Sequence, residues 1–149
     1  MKKFEIVTLF NCFSNLKLNK FSKEIRNAIV NNFNKIEGVK NQIDEDVNKL
    51  KEKLFSEDIE NVKKLALYRA DYKTATEEGK LEINNKIKDE CQPALEIEAK
   101  LFVEINNLYM EDVDVTIDTI DKDIFIEECA AADIDITLSE LSTISALFN

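Results

Sequence analysis

The chain has no histidine, no tryptophan, only two glycines (Gly38 and Gly79) and a single proline, Pro93, in 149 residues. Without histidine it lacks at once the usual general base, the usual activator of a nucleophile and the commonest metal ligand. That removes most hydrolase and zinc chemistries. So few breakers exclude turn-rich all-β folds and linker architectures. No glycine-rich turn can bring backbone amides against a phosphate, which excludes nucleotide-binding loops. No apolar run approaches the roughly 20 residues of a membrane span. Glu5 interrupts the first apolar run and no small-residue cleavage site follows, so no signal peptide is expected. Cys12, Cys91 and Cys129 are widely separated with no Cys-x-x-Cys pair, the pattern of reduced, mostly buried thiols in a cytoplasmic compartment.

What is present is a helical pattern with 44% apolar and 34% charged residues, in a chain of single-domain length. Leu18, Phe21, Ile25, Ile29, Phe33, Ile36, Val39, Ile43, Val47, Leu50 and Leu54 recur at steps of three and four, one face of a long helix. At 1.5 Å per residue it would be about 54 Å long and need a long partner. Gly38 lies within it and marks a bend or a close contact. Ile83, Ile87, Cys91, Leu95, Ala99, Phe102, Ile105 and Tyr109 form a second stripe, widened by Ile97, Leu101 and Leu108 and interrupted at Pro93. A further helix starts near Ser56, and Thr74 to Gly79 read as its connection to the second stripe. The pattern predicts a mainly α (α+β) fold, a long antiparallel helical hairpin with a small C-terminal β/α unit, in one domain spanning residues 1–149.

At Glu111 the period changes to two. Val113, Val115 and Ile117 alternate with Asp112, Asp114, Thr116 and Asp118, which predicts a half-buried strand, and Ile134 and Ile136 alternate with Asp133 and Asp135 in a second. Ile124 to Ala132 reads as a helical turn between them. Thr137 and Glu140 have capping-box spacing ahead of a final helix. Phe4 and Ile6 are expected to pair as a short strand with this unit, followed by one or two helical turns through Leu9, Phe13 and Leu16.

Residues 1–110 carry equal numbers of acids and bases, whereas residues 111–149 hold eleven acids against Lys122 alone, so the whole net charge of -10 lies in the last quarter. Such a segment repels nucleic acid and anionic membrane and favours a basic protein surface. Two-carboxylate catalysis lacks a sugar platform, and an EF-hand loop fails because Ile117 stands where its glycine is required. Neither a metal nor a cofactor is expected, and no catalytic residue is assigned. On a strand, residues two apart repeat at about 6.6 Å, so Asp112, Asp114 and Asp118 would form a spaced acidic row. With Asp121, Asp123, Asp133 and Asp135 they are the candidate partner-binding residues.

Leu16-Lys17-Leu18 leading into Ile25 to Ile36, Ile105-Asn106-Asn107-Leu108, Asp112-Val-Asp-Val-Thr-Ile117, and Ile134-Asp-Ile-Thr137 leading into Leu141 together resemble a family of small tailed-phage proteins of uncharacterised function. Asn19 and Leu138 stand where that pattern has helix-opening prolines. The resemblance implies a phage origin and a similar architecture, and it supplies no catalytic residues. The expectation is a non-enzymatic protein in the host cytoplasm or on the virion that binds another protein, as a virion or assembly component. The alternative is an acidic inhibitor of a host defence or nucleic-acid-processing protein that mimics DNA. The long apolar stripe also suits a homodimer.

Overall fold

In the computed structural model, the Leu18 to Leu54 stripe falls on a helix that runs from Lys23 to Phe55, with Leu18 in a preceding 3-10 turn, Leu18–Lys20, and Phe21 at the end of that turn. The structure describes residues 1–148, the Thr143 side chain excepted. Seven α-helices follow one another among these residues: α1 (Lys3–Asn15), α2 (Lys23–Phe55), α3 (Ile59–Thr74), α4 (Glu77–Glu90), α5 (Gln92–Tyr109), α6 (Lys122–Ala131) and α7 (Leu138–Thr143). Helix accounts for 80% of the chain and strand for 3%, so the architecture is mainly α. A 3-10 turn, Ser56–Asp58, joins α2 to α3, and helical residues run without a gap over 52 positions. The fold comprises two compact units, Met1–Glu45 with Tyr109–Asn149, and Asp46–Leu108.

In the second unit, the end of α2 and α3 form one arm of a hairpin and α4 and α5 the other. Leu54 packs with Ile97 and Leu101, and Leu65 packs with Cys91 and Ala94. Residue numbers fall along one arm as they rise along the other, which is the antiparallel arrangement the stripes predict. The chain reverses at Ala75–Thr76, where the Thr76 hydroxyl caps α4 by accepting the Gly79 N–H. The interruption expected at Pro93 falls at Cys91, because Pro93 takes a place in the first turn of α5, where its missing N–H is not needed. Asn61 of α3 spans the break. Its Nδ2 donates to the Glu90 carbonyl at 3.1 Å and its Oδ1 accepts the Ala94 N–H at 3.3 Å. Ion pairs tie the arms along their edges: Arg69 forks onto both carboxylate oxygens of Glu98, Lys100 meets Glu57 and Lys64 meets Glu90.

In the first unit, α1 buries Ile6, Leu9 and Phe13, α2 buries Ile25, Ile29, Ile36 and Ile43, α6 buries Phe125 and Cys129, and α7 with its following turn buries Leu141, Ile144 and Leu147. The Phe21 ring stacks on Phe125 at 5.7 Å, and Phe148 tilts against the same ring. Two expectations fail here. Phe4 and Ile6 lie in α1 and form no strand, although the N-terminal segment does meet the acidic one through a single antiparallel bridge between Lys2 and Asp112. The C-terminal β unit is not seen. Residues 113–117 keep their alternation, with Val113, Val115 and Ile117 half-buried and the residues between them exposed, but their backbone forms no ladder. The Val113 N–H bonds the Met1 carbonyl, and the Asp118 backbone is taken by a side chain, so among the described residues the pairing with the N-terminal segment stops at the single bridge. Ile134 and Ile136 likewise face inward without pairing. Of the two alternatives at Gly38, a close contact does not form: the residue is exposed, and a Cβ added there would meet nothing within 4 Å.

Candidate functional site

The seven candidate aspartates fall into distinct structural roles. Asp112 accepts from Lys2 Nζ at 2.7 Å, and that bond holds its carboxyl below the usual carboxylate range. The neighbouring Glu111 pairs with Lys3 at 2.7 Å. Asp118 pairs with Lys35 at 2.7 Å, and its backbone is gripped by Asn32. Asp121 and Asp133 bracket α6. The Asp121 carboxylate caps the N-terminus, accepting the N–H groups of Asp123 and Ile124 at 3.0 Å each. Asp133 ends the helix with φ 55°, while its N–H bonds the Ala130 carbonyl and the Ile134 N–H bonds the Cys129 carbonyl. That pair of bonds around a left-handed residue is the Schellman arrangement. Asp123 lies in the first turn of α6, where a carboxylate suits the helix dipole. Asp114 is exposed.

Asp135 is placed differently, on a cavity of about 360 Å³ within the first unit. One wall is a single face of α1, formed by Thr8, Asn11, Cys12 and Asn15; the others come from residues 134–136 and from Ser139, Glu140 and Ile144. Glu140 completes the expected capping box of α7. Its Oε2 accepts the Thr137 N–H at 2.7 Å and hydroxyl at 2.8 Å, while the Thr137 hydroxyl oxygen accepts the Glu140 N–H at 3.2 Å. The Thr137 bonds, backbone first, hold the Glu140 carboxyl below its usual range. Burial, and secondarily the charge of Glu140, push the Cys12 thiol up. All three cysteines are free thiols, and Cys12 is the half-buried one.

A second surface was not legible in the stripes. Ala94, Ile97, Leu101 and Leu108 form the buried face of α5, whereas Phe102 and Val103 are 67% and 54% exposed. The expected stripe had placed Phe102 and Ala99 inward; the widening residues Ile97, Leu101 and Leu108 take that position instead. No family model, curated protein or solved structure matches this chain. Among the described residues no three or more Cys, Asp or Glu side chains converge as a metal site, and no helix is long and apolar enough to cross a membrane.

Proposed function

We propose that this protein acts by binding another protein, without catalysis, through the outer face of α5, and that it does so as a component of a larger assembly. The observation that carries this reading is the pair of α5 faces. A helix of an isolated hairpin needs one apolar side, but α5 has two: Ile97, Leu101 and Leu108 inward, and Ala99, Phe102 and Val103 on the opposite side. Burying a side chain such as Phe or Val is worth about 1.5–3 kcal/mol, so covering this face is favourable. Leu67 of α3 and Leu81 of α4, each at least 66% exposed, extend the apolar character of the same unit.

The setting in a tailed phage, whether virion or host cytoplasm, rests on the sequence resemblance and belongs to the same proposal. A second copy of the chain is the first partner to test. Sedimentation of the purified protein should show concentration-dependent association that F102D/V103D abolishes while helix content is retained. A strict monomer would redirect the search to a different protein, captured from infected cells by the wild type and lost by the double variant. Capture that the double variant retains, but that moderate salt removes, would favour the acidic inhibitor instead. Two acids of that alternative, Asp112 and Asp118, already have lysine partners within the chain.

A further inference from the structure

The cavity beside α1 combines an apolar wall with an anionic rim. Leu16, Ile134 and Ile136 are half-buried on its wall; Asp135 and Glu140 stand exposed at the rim, and no lysine or arginine lines it. Its volume of about 360 Å³ is at the small end of the roughly 300–1,000 Å³ of small-molecule sites. Glu140 is anchored through Oε2, on which both bonds from Thr137 fall; Oε1 takes part in neither. An anion entering here would meet two carboxylates and no cation, and a purely apolar molecule would leave the rim unused. We propose that this cavity binds a protonated primary amine carried on a short hydrocarbon stem, with the stem against Leu16, Ile134 and Ile136 and the ammonium group at Asp135 and Glu140. The amine can be a free small molecule or the end of a lysine side chain, since both present the same group. The raised Cys12 thiol agrees with the sign of the potential, because the charge of Glu140 is felt on the α1 wall of the cavity.

Titration of the labelled protein with hexylammonium, followed by amide chemical shifts, tests the site. Saturable shifts are expected at Asn11, Ser139 and Glu140, with 1-hexanol binding about fivefold more weakly, the scale of one exposed ion pair. E140Q keeps a residue that can serve in the capping box, and D135N leaves that box untouched; each should weaken hexylammonium, and not hexanol, by a similar factor. Nα-acetyl-lysinamide distinguishes the sources: tighter binding than hexylammonium identifies a lysine side chain, weaker binding a free amine. Equal affinity for hexanol and hexylammonium, no saturable shift, or unchanged hexylammonium binding in both variants would overturn the proposal.

Discussion

The carboxamide of Asn32 grips the backbone of Asp118, with Oδ1 accepting its N–H at 2.7 Å and Nδ2 donating to its carbonyl at 2.8 Å. Asn32 is fully buried, and this reciprocal pair joins positions 86 residues apart. Asn32→Leu would leave both backbone groups of Asp118 unpaired. A loss of about 2–4 kcal/mol is expected from two such groups, measured by denaturant unfolding.

Gly38 offers the opposite case. It sits in the middle of α2, exposed, with open space where a Cβ would go. Gly38→Ala should therefore stabilise the protein by about 0.5–1 kcal/mol. A rise in melting temperature with an unchanged circular dichroism spectrum checks it.

At Asp133 the backbone is left-handed, φ 55°, and the side chain is exposed. Glycine has no steric penalty there, so Asp133→Gly should gain about 0.5–1 kcal/mol while keeping both closing bonds of α6. Asp133→Val, β-branched at the same φ, should destabilise.

Asn61 closes the gap between α4 and α5 from a third helix. Asn61→Ala removes a cap of α5 and an acceptor's partner at once, and about 1–2 kcal/mol of stability should go with it. Amide exchange should rise first at Ala94 and Leu95, whose N–H groups lie at the start of α5.

The pH dependence follows from groups that shift in opposite directions. Hydrogen bonds from Lys64 and then Tyr68 hold the Glu90 carboxyl below its usual range, as Lys2 does for Asp112 and Thr137 for Glu140. Each contribution is present above the unfolded value near pH 4 and is lost as pH falls through the lower folded value. Burial raises the Cys12 and Cys129 thiols, so their contribution is present below about pH 8.5 and lost as pH rises through the folded values. Melting temperature should be flat from about pH 5 to 8 and fall on both sides.

The long helix was readable because its pattern is local. Every member of the Leu18 to Leu54 stripe is buried or half-buried, and the box of Thr137 and Glu140 forms as its spacing predicts. α5 was harder, since Ala99 and Phe102 are as apolar as Ala94 and Ile97, and only the position of the opposing arm decides which side closes. The acidic segment shows a deeper limit. Its alternation correctly separates Val113, Val115 and Ile117 from the aspartates, yet a strand also needs a neighbour, and period alone does not supply one. Asn32 was invisible for the same reason, because its partner lies in that segment. Thr8, Asn11, Cys12 and Asn15 have the spacing of one helix face, but the cavity they line needs residues 134–144 opposite them, which that spacing does not place.

The bracketing of one compact unit by the other has a kinetic consequence. Asp46–Leu108 is continuous in sequence, whereas the other unit is assembled from Met1–Glu45 and Tyr109–Asn149. Its linking contacts, Asn32 with Asp118, Ser22 with Glu128 and Lys2 with Asp112, join residues 86, 106 and 110 apart. Within the hairpin, Asn61 reaches Glu90 across only 29. Short-range closure is faster and loses less chain entropy. The hairpin is therefore expected to form first, and its closure shortens the loop that the remaining segments must close.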